Sequence, residues 1–196
     1  MESTNDHIIL RSASPSDAPR IADAIMEAVG SEITLDFAGS QDRLILVKRL
    51  FTELASLDDS QYSYRNTIIA ADADNKIAGV IIAYDGADLH KLRERFIEKT
   101  QEILGYKISS LEITDETSPD EIYIDTLCVF PAYRRKGLGL RLIKEATSRH
   151  ASTGKPMGLL VDKDNLRARN LYEKAGFMYV GDRPFAGVMM DHLQNI

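Results

Sequence analysis

A mixed α/β fold, with a central sheet of about six to seven strands flanked by helices, is what this sequence predicts. Three observations carry the prediction. Short apolar runs rich in β-branched residues alternate with stretches whose apolar residues recur three and four apart. Their order sets a hairpin between helices and then runs β-α-β-α-β, which implies a mixed sheet. The 196 residues, 44% hydrophobic and 28% charged, suit one soluble globular domain over 1–196, long enough to bury a core.

Residues 7–13 read as the first strand. Ser14-Pro15-Ser16-Asp17 marks a helix start, with serine as N-cap, proline at the first helical position and an acid three residues after the cap. Ile21, Ile25 and Val29 carry that helix to a stop near Gly30. Residues 41–56 form the next helix, with Leu44, Val47, Phe51 and Leu54 on one face, and the stretch between the two reads as a loop. Residues 67–73 and 76–84 are apolar strands about a turn at Asp72-Ala73-Asp74-Asn75. Residues 87–104 return to helix, with Leu89, Leu92, Phe96 and Ile103 on one face. Residues 122–130 form a strand ended by Pro131, which cannot donate to a ladder. Leu138, Leu142, Ile143 and Ala146 then give an amphipathic helix. A strand over 156–161 and a helix over 162–175 follow, with Asn165 as N-cap and Gly176 past the helix end. Strands 177–180 and 187–192 close the chain, joined through residues 181–184.

The junction between strand 122–130 and its helix holds the chemistry. Arg134, Arg135 and Lys136 stand directly before Gly137-Leu138-Gly139, where the helix begins. A helix start presents unpaired N–H groups and the positive end of its dipole, so each cation there is unfavourable by roughly 0.3–1 kcal/mol. Glycine adds about 1 kcal/mol relative to alanine. A sequence that accepts both costs at one place is expected to hold an anion there, with Gly137 and Gly139 letting a phosphate approach the backbone. A Rossmann site does not fit, because Leu142 stands where the third glycine belongs and five residues separate strand from loop. A Walker loop does not fit either, since no Gly-Lys-Ser/Thr is present.

The net charge of −6 argues against general nucleic-acid binding and makes the 134–136 cluster a local exception. No apolar run approaches the roughly 18–20 residues a membrane helix needs, and the first residues lack the pattern of a signal peptide. The one cysteine, Cys128, leaves no internal disulfide and suits a reducing compartment, so a cytoplasmic location is expected. The four histidines lack ligand spacing, so no metal is expected.

Arg134-Arg135-Lys136-Gly137-Leu138-Gly139 resembles the Gln/Arg-x-x-Gly-x-Gly/Ala signature of the GNAT superfamily of acyl-CoA-dependent N-acyltransferases. The preceding Tyr-Ile-Asp-Thr-Leu-Cys-Val-Phe-Pro is similar to that family's central strand, and residues 165–177, from Asn165 through Tyr172 to Gly176-Phe177, resemble its second block. The resemblance runs in order over most of the chain and is weakest in 85–120. It implies a GNAT-like fold and direct transfer of an acetyl group from acetyl-CoA, as co-substrate, to a primary amine through a tetrahedral intermediate. The acceptor is expected to be a small molecule or peptide amine. By the same resemblance Arg134 to Gly139 hold the pyrophosphate, Leu127 and Cys128 flank the pantetheine, the Val129 N–H faces the thioester carbonyl, and Asn165 contacts the cofactor or a water. Thr34, Asp36 and Phe37, between the first two helices, become candidates for acceptor contact.

Acyl transfer to an amine needs a proton acceptor for the ammonium, a donor for the oxyanion and a proton source for the thiolate. On a strand residues 121, 123, 125, 127 and 129 share one face, so Glu121, Tyr123 and Asp125 are expected to line one cleft. Asp125 is the candidate acceptor, matching a carboxylate of the family's polyamine acetyltransferases, with Glu121 in reserve; a structural acid is the alternative for Asp125. Tyr172 is the candidate donor, its ordinary pKa near 10 suiting an acid that stays protonated. A covalent acyl-Cys128 is disfavoured, because no histidine adjoins it. Residues 108–125 carry Glu112, Asp115, Glu116, Asp120, Glu121 and Asp125 without a lysine or arginine. This run reads either as a solvated loop or as a surface that attracts a cationic acceptor. A non-catalytic acyl-CoA binder is the alternative function, and a homodimer is the default oligomeric expectation.

Overall fold

The computed structural model describes residues 7–107 and 113–195. Seven strands form one sheet in the order β1-β2-β3-β4-β5-β7-β6: β1 (Ile9–Ser12), β2 (Thr67–Ala71), β3 (Ile77–Asp85), β4 (Ile122–Val129), β5 (Met157–Val161), β6 (Phe177–Phe185) and β7 (Val188–Asn195). All neighbours are antiparallel except β4 and β5. The helices are α1 (Ala18–Val29), α2 (Ser31–Ala38), α3 (Leu44–Ser56), α4 (Leu89–Leu104), α5 (Leu138–His150) and α6 (Leu166–Lys174).

The alternation of side chains sorts the core onto two faces. Ile69, Ala71, Val80, Ile82 and Cys128 pack with α1 and α3, whereas Ile68, Ala70, Ile81, Ile122 and Ile124 pack with α5. The start of α1 follows its sequence signal: Ser14 N–H and Oγ both donate to Asp17 Oδ2, each at 2.8 Å. Arg11 on β1 clasps the same carboxylate and helps hold it down to about pKa 2.

Three expected features are corrected. The stretch between the first two helices is itself a helix, α2. It follows Gly30, whose φ of +92° turns the chain sharply enough for a second helix to begin. β6 runs through 181–184 to Phe185 with a bulge at Tyr179/Gly181, and the hairpin turns instead at Ala186-Gly187. Both residues have positive φ, +48° and +82°, as a tight right-twisted hairpin requires. Pro184 is tolerated because β6 is an edge strand.

The third correction concerns β4. Ile82 pairs with Thr126 and Ala83 with Ile124, so Asp125 is an extra residue in a bulge. Alternation resets there. Tyr123 faces the α4 side with Tyr84 and Leu89, but Leu127 and Val129 cross to the α5 face. The five odd-numbered residues therefore do not share one face.

Candidate active site

Beyond the bulge, β4 and β5 part. They pair only at Ile122–Met157 and Tyr123–Gly158, although β4 continues to Val129. The opening leads into a cleft of about 790 Å³ bordered by Leu127, Cys128 and Val129, by Tyr133, Arg134, Arg135 and Gly137 of the following loop, by the first turn of α5 and by one face of α6. Phe130 N–H donates to Ala78 O on β3 (3.0 Å). Because N–H groups alternate sides along a strand, that of Val129 points away from β3, into the opening. Arg134 Nε caps the Val129 carbonyl at 2.8 Å, and its guanidinium is tied to Glu27 of α1 at 2.6 Å.

The basic loop turns through left-handed backbone at Arg135 (φ +62°) and Gly137 (φ +75°), which starts α5. Gly139 also has a packing role. A Cβ there would meet Leu171 Cδ2 at 3.0 Å, so its bareness lets α6 lie against α5. Asn165 caps α6, its Oδ1 accepting from Ala168 N–H at 3.1 Å. Arg135, Gly137, Leu138, Gly139 and Asn165 all border the cleft; Lys136 borders a separate shallow depression with Ile8 and Arg141. Arg167 and Lys174 of α6 add cations that sequence reasoning passed over. They lie inside the 165–177 block, two residues from Asn165 and from Tyr172, and only the fold brings them to the cleft that Arg135 also borders.

Tyr172 also borders this cleft, 6.0 Å from the Phe177 ring, and burial pushes its hydroxyl up to about 12. Cys128 is buried, and burial together with the Glu27 charge pushes its thiol up to about 12, which keeps it un-ionised.

Asp125 lies on the other side of the divide, among Gln61, Tyr62, Tyr84 and Tyr123. Thr126 Oγ1 donates to its Oδ1 at 2.9 Å, and Gln61 Nε2 stands 3.5 Å from Oδ2. Burial, reinforced by the Glu116 charge, raises the carboxyl to about 7 despite those two donors.

Glu121 cannot serve as its reserve. The carboxylate is fully buried and accepts from Thr117 Oγ1, Ser118 N–H, Gln194 Nε2 and the His192 ring. Burial opposes its charge, but the bonds from His192, Gln194 and Thr117 hold it down to about 2. A Cβ on Gly158 would sit 1.9 Å from its Oε2. It is a structural acid that joins β4 to β5 and β7.

The acidic run is corrected in the same way. Arg93, 3% exposed on α4, binds Glu116, Asp115 and the Ile113 and Thr114 carbonyls. Glu116 is thus a buried partner of a distant arginine rather than a solvated side chain; Asp120 is exposed, and Glu112 lies outside the described residues. Thr34 is buried and donates to Gly30 O at 2.7 Å. Phe37 stacks on Phe96 with 6.0 Å between centroids. Both are packing residues, while Asp36 is exposed.

A model of the acetyltransferase (GNAT) family matches residues 41–177, more than half of the chain. This chain belongs to the GNAT acetyltransferase family. Among solved structures, the fold of this GNAT chain is similar to that of an acetyltransferase at 27% identity, covering 95% of this chain and 98% of the other with a TM-score of 0.74. It is also similar in fold to an N-acetyltransferase from Staphylococcus aureus Mu50, at 23% identity, 95% and 99% coverage and a TM-score of 0.73. An uncharacterized protein of Mycobacterium leprae is 31% identical over 130 residues, 66% of this chain and 32% of that protein. The chain therefore spans about a third of that relative's length. Among the described residues no helix is long and apolar enough to cross a membrane.

Proposed function

We propose that this chain is an N-acetyltransferase that moves an acetyl group from acetyl-CoA to a primary amine by direct attack of nitrogen on the thioester. The bulge at Asp125 carries the reading, because it makes β4 a divider between two half-sites. Leu127 and Val129 border a basic cleft on the α5 and α6 face, while Asp125 stands among tyrosines on the other face. The two halves meet where β4 and β5 part.

The cleft suits the co-substrate. N–H groups at the start of α5 offer a seat for a pyrophosphate, and Arg134, Arg135 and Arg167 supply its counter-charge. Leu127 and Cys128 flank the pantetheine arm, with Asn165 beside it. Acetyl-CoA supplies an acyl group already activated as a thioester.

Asp125 takes a proton from the acceptor ammonium through a water and passes it to solvent, which frees the nitrogen lone pair. As the N–C bond forms, the Val129 N–H donates to the carbonyl oxygen that gains charge. When the C–S bond breaks, Tyr172 gives a proton to sulfur and is reprotonated by the nitrogen's surplus proton. One proton is released for each amide made.

The test is a pH–rate profile of kcat/KM by thiol release. Wild type should rise with pH through an inflection near 7, the value to which Asp125 is raised. Asp125→Asn should lose that inflection and fall by roughly 10²–10⁴ at neutral pH. Wild-type activity in Asp125→Asn would remove the general base from the reading.

A further inference from the structure

Gln61 is held where its side-chain carbonyl has no partner among the described residues, while its NH2 group faces Asp125 and the Tyr62 hydroxyl. It is 4% exposed, its Oε1 has no hydrogen bond, and its Nε2 reaches Asp125 only at 3.5 Å. A buried carbonyl left without a hydrogen bond destabilises the fold, and such a group in a native fold asks for an explanation. Local looseness is not the explanation, because the 60–66 turn is pinned on all sides. Ser60 Oγ donates to Leu54 O (2.9 Å), Ser63 Oγ donates to Leu57 O (2.5 Å), and Asn66 Nδ2 donates to the Ser60 and Gln61 carbonyls (3.1 and 3.2 Å). The turn presents the amide to the carboxylate and holds it there.

The surroundings favour a cation. Tyr62, Tyr84 and Tyr123 all feel the charges of Asp125 and Glu116. The cation beside them, Arg93, is consumed by two carboxylates and two carbonyls. Among the described residues, Asp125 Oδ2, unlike Oδ1, receives no short hydrogen bond.

We propose that Gln61 Oε1 directly, and Asp125 Oδ2 through the relay water, together hold two N–H groups of the acceptor, and so restrict it to primary alkylamines. This rests on the acetyl-transfer reading and deepens it. A neutral primary amine keeps two N–H groups for these two oxygens and a lone pair for the thioester. A secondary amine has one N–H, so attack would leave one buried oxygen unpaired, a defect that such sites reject strongly. Gln61 is then an acceptor-binding residue that sets specificity.

Thiol release from acetyl-CoA, with n-butylamine and N-methylbutylamine as acceptors, tests this in wild type, Gln61→Met and Gln61→Glu. Wild type should prefer the primary amine at least tenfold in kcat/KM. Gln61→Met, similar in volume but without the oxygen, should raise KM for n-butylamine at least tenfold and lose the preference, with acetyl-CoA affinity and thermal midpoint kept. Gln61→Glu, which retains an oxygen, should keep the preference. Equal use of the two amines by wild type, or an unchanged KM and preference in Gln61→Met, overturns the assignment. So does a Gln61→Met variant that fails to fold, since the amide would then be structural. Failure of the acetyl-transfer reading looks different: wild type would bind acetyl-CoA and release no thiol with either amine. The Gln61 side-chain amide resonances, titrated with n-butylammonium chloride, then decide, a saturable shift supporting the assignment and no shift overturning it.

Discussion

Replacing Asp125 by asparagine should strengthen the fold while it weakens catalysis, by an amount that depends on pH. The carboxyl is raised from 3.8 to about 7 by burial and by the Glu116 charge. The folded state therefore binds this proton more tightly than the unfolded chain. Stability from this group is intact below the unfolded value, declines as pH rises from about 4 to about 7, and is fully lost above that. At 1.36 kcal/mol per pH unit, the raised pKa costs the fold on the order of 1.5 kcal/mol at pH 5, where the unfolded chain ionises and the folded one does not, and on the order of 4 kcal/mol at pH 8. Asparagine keeps an oxygen for the Thr126 hydroxyl and does not titrate. Urea unfolding of both proteins at the two pH values reads this contribution, because groups not coupled to Asp125 cancel in the difference. The advantage of Asp125→Asn should grow by about 2–3 kcal/mol between pH 5 and pH 8. A difference that is the same at both would mean that this carboxyl does not change protonation in the window, and its role as a base near neutral pH would go with it.

Further consequences follow from the neighbours. Tyr172→Phe should lower kcat by roughly 10–100-fold, toward the small end for a general acid because a thiol with pKa near 8.5 leaves readily. Acetyl-CoA affinity by calorimetry should hold, and high pH should not relieve the loss, since Tyr172 stays protonated up to about 12. Glu116→Gln should cost roughly 3 kcal/mol in thermal unfolding by stranding the buried Arg93, the low end for a broken buried pair because Asp115 remains. In the same variant the acid limb of the kcat/KM profile should move to lower pH, because Glu116 no longer opposes ionisation of Asp125. Gly158→Ala should destabilise by about 3 kcal/mol or more in urea, as its Cβ would fall 1.9 Å from a carboxylate oxygen held by four donors.

The cleft beside β4, the proposed cofactor half of the site, was legible in the sequence because its signals are local. Strand, proline, basic triplet and glycines follow one another from Ile122 to Gly139, and the cap at Asn165 is read from its own helix. The acceptor half was not, because each of its features depends on residues far apart. The bulge at Asp125 exists only against the register of β3, and it sends Leu127 and Val129 to the face opposite Tyr123. Six acids without a nearby cation look solvated until α4 brings Arg93 from some twenty residues earlier. Glu121 shares its strand face with Tyr123, yet β7 supplies His192 and Gln194 and makes it structural. Gln61 has no motif; its signal is an unmet hydrogen bond, which only coordinates reveal. The miss at β6 is of another kind, since Gly181 and Pro184 read as a turn and are tolerated in an edge strand.

The most direct test of the central claim, that β4 divides a cofactor cleft from an acceptor site, is a crystal structure with acetyl-CoA bound. The pyrophosphate should lie on the N–H groups at the start of α5, and the thioester oxygen about 2.7–3.1 Å from the Val129 nitrogen, with Asp125 across the bulge from the acetyl carbon. A thioester lodged away from the β4–β5 opening, or a Val129 N–H engaged by protein backbone instead, would contradict it.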